Sequence, residues 1–139
     1  DVLRMLSETG ADKVMAGRAL AARPWMMWQL GEKLNFENPE GFSGKAPSTP
    51  EEEGAEYGRS LLKLIDYCEE DFMQAAGASE SITLRKIQFH IRTTHVWLEF
   101  GHALMAKASN CKSLAGLRTA IAEFFNQEHR MNARTERRQ

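Results

Sequence analysis

The sequence predicts a mostly α-helical fold: a helical bundle of about three longer helices, preceded by a single strand–helix unit. Three observations carry this. Apolar residues recur at helical spacing within 57–72, 84–98 and 114–125, each set forming a stripe that can face a shared core. Breakers separate the sets, at Gly77 and at "ASNCKS". Finally, "ADKVMAG" at 11–17 is short, apolar and ends in glycine, and the next stretch, "ALAARPWMMWQLGEKL", is rich in helix formers. That is how a buried strand entering a helix reads.

The elements follow in order. "DVLRMLSETG" places Val2, Leu3 and Leu6 at helical spacing, with Gly10 positioned as a C-cap. After the expected strand, Pro24 can open the main helix of this first unit from a first-turn position. Residues 35–49, "NFENPEGFSGKAPST", hold breakers and few periodic residues, and read as a linker. Thr49-Pro50-Glu51-Glu52-Glu53 combines a capping hydroxyl, a proline at the first position and acids facing the positive end of the helix dipole. The helix it starts carries Tyr57, Leu61, Leu64, Ile65, Cys68 and Phe72 on one stripe, up to Gly77. Ser81 is placed to cap the next helix, whose buried side is Leu84, Ile87, Ile91 and Leu98 and which runs on to "ASNCKS". Ser113 is placed to cap the last, built on Leu114, Leu117, Ile121, Phe124 and Phe125. The expected domains are therefore 1–34 (strand–helix piece), 35–49 (linker), 50–126 (helical domain) and 127–139 (a basic, disordered tail with almost nothing to bury).

The totals bound the rest. A chain of 139 residues suffices for one ordinary domain. Its 42% hydrophobic and 27% charged residues are those of a soluble globular protein. It contains no run of about 18 apolar residues, the length a membrane-spanning helix needs. Nothing in it reads as a secretion signal, and its two cysteines, Cys68 and Cys111, form neither a metal spacing nor a disulfide framework. The expectation is a cytoplasmic monomer with no membrane and no metal partner. The net charge of −1 conceals an asymmetry: residues 1–82 carry 8 Lys/Arg against 15 Asp/Glu, and residues 83–139 carry 10 against 4. All four histidines also lie in the second part. Such a split points to a polyanionic partner for the basic half.

The stretch "MLSETGADKVMAGRALAARPWMMWQL" resembles the last strand–helix unit of the tRNA-dihydrouridine synthases, whose signature there is close to "ETGADGVMIGRGALGNPW". The shared positions are Glu8, Thr9, Gly10, Ala11, Asp12, Val14, Met15, Gly17, Arg18, Pro24 and Trp25. Further on, "RTTHVWLEFGHALMAKASNCKSLAGLRTAI" resembles the family's helical-domain segment "RKHIGWYLKGLPGAAELRARI", with Thr93-Thr94 standing before His95 where the family tends to have Arg-Lys. The resemblance implies a (β/α)₈ TIM-type barrel holding FMN, reduced by NADPH, which reduces uridine to 5,6-dihydrouridine in tRNA. Residues 1–34 would then close a truncated barrel, and residues 50–126 would be the tRNA-binding domain. It also implies that Gly17 and Arg18 contact the FMN phosphate. Such turns suit phosphate because glycine admits close backbone approach, a helix start offers free amides, and arginine adds charge-assisted bonds. The family's catalytic cysteine would lie upstream of this chain, so the chain by itself is expected to be inactive.

Arg85, Lys86, Arg92, Lys107, Lys112 and Arg118 recur across two successive helices and form the expected phosphate-binding patch. His95 joins them as polar, RNA-facing surface. His95, Glu99 and His102 stand four and three residues apart on what reads as one helix, but without a third strong ligand this spacing does not predict a metal site. Two alternatives stay open: a stand-alone, non-catalytic RNA-binding module, and a protein-interaction bundle whose basic face is incidental.

Overall fold

The computed structural model describes residues 2–38 and 44–132. They form seven α-helices: α1 (Val2–Thr9), α2 (Arg18–Ala22), α3 (Met26–Lys33), α4 (Pro50–Tyr67), α5 (Glu80–Thr94), α6 (Gly101–Asn110) and α7 (Leu114–Phe124). A π-helical stretch, Cys68–Ala75, prolongs α4, and a 3₁₀ turn, His95–Trp97, follows α5. The mostly helical class is as expected from the sequence.

The caps at α4 and α7 form as their residue types require. At α4 the Thr49 hydroxyl accepts the Glu52 amide at 3.2 Å, while the Glu52 carboxylate accepts the Thr49 amide at 3.1 Å. This reciprocal pair satisfies two of the amides a helix start leaves free. Backbone and side-chain hydrogen bonds from Ser48 and Thr49 hold the Glu52 carboxyl below its usual range. At α7 the Ser113 hydroxyl accepts the Gly116 amide at 3.1 Å. Gly10 ends α1 with φ of +65° and bonds back to Leu6. At α5 the helix begins two residues earlier than expected, with Ser79 in the cap position and Ser81 inside the first turn.

The core lies between α4, α5, α6 and α7. Tyr57, Leu61, Ile65, Ile87, Ile91, Leu104, Leu117 and Ile121 fill it, and Trp25 reaches it from the segment before α3. The Tyr57 hydroxyl, 2.6 Å from the Thr94 hydroxyl, gives the buried phenol its partner; burial pushes its pKa up to about 12.

Three expectations are corrected. Residues 12–16 form no strand, and among the described residues the only β pairing is an isolated bridge between Leu98 and Met131. A lone strand has no neighbour to satisfy its backbone, so the extended form brings no gain. The first unit also divides: α1 buries no residue, whereas Ala22, Trp25 and Trp28 are buried, Trp25 within the bundle's core.

The expected long helix over 81–107 is broken into α5, the 3₁₀ turn and α6. Phe100 adopts φ of +56°, and α6 then starts at Gly101, where a Cβ would overlap the His95 carbonyl. Only glycine lets the chain turn back that closely.

Finally, residues 127–132 are packed, not disordered. Met131 is 2% exposed, its amide donates to the Pro50 carbonyl at 2.9 Å, and the Glu99 amide donates to the Arg130 carbonyl at 2.9 Å. His129 stacks on Phe124 with ring centroids 4.0 Å apart. Gly54 of α4 makes room, since a Cβ there would overlap the His129 carbonyl. The Asn132 amide also donates to the Trp97 carbonyl at 2.8 Å, and Arg130 reaches Glu51 at 2.7 Å. The rest of the expected tail, 133–139, lies outside the described residues.

Candidate nucleic-acid interface

α5 positions the candidate surface. Its inner side buries Thr83, Leu84, Ile87, Ile91 and Thr94. At 3.6 residues per turn, the opposite side carries Ile82, Arg85, Lys86, Phe89 and Arg92, all exposed. Ile82, Arg85, Lys86 and Phe89 line one shallow hollow. No carboxylate occurs between Glu80 and Glu99. The Glu80 carboxylate is engaged by the start of α7, accepting the Leu114 amide at 2.8 Å. The outer side of α5 is therefore a basic strip with an exposed aromatic ring in its middle.

Gln88 ties the end of α6 to α5. Its side-chain amide donates to the carbonyls of Ala108 at 2.9 Å and Cys111 at 3.1 Å. Those carbonyls close α6, so the bonds fasten the end of α6 beside α5. Lys107 and Lys112 adjoin the two fastened residues, and both are exposed. Arg92, Lys107 and Lys112 form no side-chain hydrogen bond or ion pair among the described residues. Arg85 spends one donor on the Ser81 carbonyl, at 3.2 Å. Lys86 places its ammonium 5.5 Å from the centre of the Phe72 ring, a cation–π contact that leaves part of it exposed.

Two expected members of the patch stand apart. Arg118 of α7 turns toward α4 and its extension, donating to Asp66 at 2.6 Å and Glu69 at 3.0 Å. The Asp66 hydrogen bond, ahead of the charges of Asp66 and Glu69, raises its pKa above the usual arginine value. Its charge is thus opposed within the molecule. His95 folds back on the end of α5, its Nδ1 lying 2.8 Å from the Arg92 carbonyl. Because the 3₁₀ turn and the Phe100 reversal intervene, His95 and His102 no longer share a helix. Among the described residues no group of three potential ligands is placed to hold a metal.

Gly17 and Arg18 open the five-residue helix α2. Arg18 is exposed and has no side-chain partner among the described residues. Together with the free amides of a helix start, this donor set has the chemistry to meet one side of a phosphate. Nothing lies within 4 Å of a Cβ built on Gly17, so the turn is an open edge and not a cradle. A groove of about 1020 Å³ begins nearby and is lined by Leu20, Trp28, Tyr57, Lys63 and His90, among others. Burial lowers the His90 pKa, and burial raises those of Cys68 and Cys111. Thiols moved in that direction are poorer nucleophiles at neutral pH. No helix among the described residues is long and apolar enough to cross a membrane.

Sequence reasoning overlooked Phe89 and Gln88. Phe89 had a signal: it stands four residues after Arg85 and three before Arg92, opposite the Leu84–Ile87–Ile91 side, so its ring had to point outward. Gln88 had none, since its partners are backbone carbonyls 20 and 23 residues away. Comparison of the chain with protein-family models, curated proteins and solved structures gives no match.

Proposed function

We propose that this chain is the C-terminal part of a flavin-dependent tRNA-dihydrouridine synthase, supplying tRNA-binding helices and one edge of the FMN-phosphate site. The enzyme assignment rests on the signature positions from Glu8 to Trp25. The RNA assignment rests on one observation above all: α5 exposes Arg85, Lys86 and Arg92 and carries no carboxylate of its own between Glu80 and Glu99, with the end of α6 fastened alongside. Phosphate is the group such a strip recognises, because RNA duplexes offer side chains their backbone more readily than their base edges. In the parent enzyme, Gly17 and Arg18 would meet the FMN phosphate. When bound and reduced by NADPH, the flavin supplies the reducing equivalents for the uridine C5–C6 bond. On this reading the family's proton-donating cysteine and flavin ring contacts are not among these 139 residues, and the chain by itself should be inactive and colourless.

The test is salt-dependent binding of folded tRNA to the 139-residue chain, read by anisotropy. Three or four phosphate contacts give a log–log slope of about −2 to −4. Reversing Arg85, Lys86 and Arg92 to glutamate abolishes binding while helicity by circular dichroism is kept. Salt-independent binding, or reversal of Arg134, Arg137 and Arg138 (outside the described residues) proving more damaging, overturns the assignment.

A second reading has its own supporting observation. Residues 12–16 make no strand, and the bundle closes its core with residues of its own, from Trp25 to Met131. This favours a stand-alone, non-catalytic RNA-binding helical module. A gene in which a cysteine-bearing barrel precedes Asp1 decides for the enzyme.

A further inference from the structure

We infer that Phe89 is a stacking platform for an unpaired base, so that this surface selects RNA with exposed, unstacked nucleotides over continuous duplex. The inference rests on the RNA reading above and specifies what it leaves open. Phosphate contacts alone do not distinguish a loop from a duplex.

Three observations point the same way. Phe89 is 65% exposed at the middle of a well-packed helix, and its ring forms no aromatic or cation contact among the described residues. Its helix neighbours on both sides are cationic: Arg85 one turn before and Arg92 one turn after. The hollow it shares with Ile82, Arg85 and Lys86 is open to solvent, so a flat group can lie on the ring. A planar base flanked by its own phosphates is complementary in both respects, its face to the ring and its phosphates to the guanidinium groups. A continuous duplex cannot present a base face to this ring, since its bases are stacked on one another. An anionic lipid surface would match the charge but calls for a broad apolar stripe. Here basic residues flank the few apolar ones.

The experiment compares an RNA hairpin with an unpaired loop and a fully paired duplex of similar charge, each titrated with the whole chain at low salt. The hairpin carries 2-aminopurine in its loop, whose fluorescence is quenched when the base stacks. The expected result is tighter binding of the hairpin, with quenching. Phe89→Ala should weaken hairpin binding roughly 5- to 150-fold, the range for losing one base–aromatic stack. It should leave duplex binding and the salt slope unchanged. Phe89→Trp should restore hairpin binding and quenching, which a merely structural role for the ring would not do. Equal binding of both RNAs, with Phe89→Ala neutral, overturns the stacking inference and leaves the phosphate reading standing. Failure to bind either RNA overturns both. Phosphatidylserine vesicles that displace the hairpin, and do so less well after Phe89→Ala, would assign the ring to a lipid surface and overturn the inference.

Discussion

Helices α1 and α7 are both short and both carry several apolar residues, yet α7 buries Leu114, Leu117, Ile121 and Phe124 while α1 buries nothing. The contrast extends beyond them. Over 2–21 the chain leaves Leu3, Met5 and Met15 exposed, Met15 at 96%. From α4 to Met131 every α-helix contributes buried residues to one core. Local chemistry is present in both regions, as the Gly10 cap shows. What differs is a partner surface: an apolar stripe lowers the free energy only where another element removes it from water. The boundary between the two behaviours falls at Ala22, where α2 meets α5. There Arg23 reaches Glu53 at 3.4 Å and also donates to the Asn132 carbonyl.

Substitutions that remove buried volume should separate the regions most. Ile121→Ala in the core should cost about 2–5 kcal/mol, the range for deleting a large aliphatic side chain from a packed site. Urea unfolding followed by circular dichroism measures it. A cost below about 1 kcal/mol would mean that the bundle is loosely packed. The junction offers a finer version of the test. Trp25 is 3% exposed, but its indole nitrogen is buried without a partner, as is Arg23 Nε. Trp25→Ala should therefore cost about 3 kcal/mol or more. Trp25→Phe should be close to neutral, because the volume it removes is offset by losing an unsatisfied donor. Equal costs for the two variants would show that the indole nitrogen is satisfied by water.

Next in size is the cap of α4. Thr49→Ala removes the acceptor of the Glu52 amide and should destabilise by about 1 kcal/mol. Glu52→Gln keeps an acceptor for the Thr49 amide and should cost less. If both variants match the parent in urea, the capping box contributes nothing measurable.

Much of this was legible beforehand. The three apolar stripes, the Thr49 and Ser113 caps and the Gly10 terminus follow from short-range rules, and short-range rules need only the sequence. The break after Thr94 was not legible, because it depends on how closely Gly101 approaches the His95 carbonyl across a turn. Nor was the docking of 127–132, which depends on Gly54 and Gly58 leaving α4 bare on one side, where Phe125 and His129 settle. At the candidate interface, Arg85, Lys86 and Arg92 share a side because helical spacing makes them. Arg118 pairs instead with Asp66 of α4 and Glu69 of its extension, which was not legible because those partners lie 52 and 49 residues away in sequence. Charge counts cannot tell a cation that is paired internally from one that is free.

The pH dependence of the bundle should be smaller again. Burial lowers the His90 pKa from its ordinary 6.5, so between the folded and unfolded values the unfolded chain binds more protons. Stability therefore rises with pH in that window. It is fully present above about pH 6.5 and is lost as pH falls through the lower, folded value. His90→Gln should flatten the decline in melting temperature between pH 7 and pH 5 relative to the parent. The other histidines are common to both chains and cancel in the comparison. Parallel declines would place the pH sensitivity elsewhere.

The smallest effect should come from the region that packs against nothing. Met15→Ser changes a side chain that is almost fully exposed in a segment without regular structure. Leu3→Ser changes one on the outer side of α1. Each should alter the unfolding free energy by less than about 0.5 kcal/mol, the usual limit for surface sites away from caps and cores. The null result is informative because the family resemblance assigns Met15 to a barrel strand, where a serine would be buried among apolar neighbours and costly. A cost above about 2 kcal/mol in this chain would show that 12–16 finds a partner in solution, and would erase the difference between the two regions.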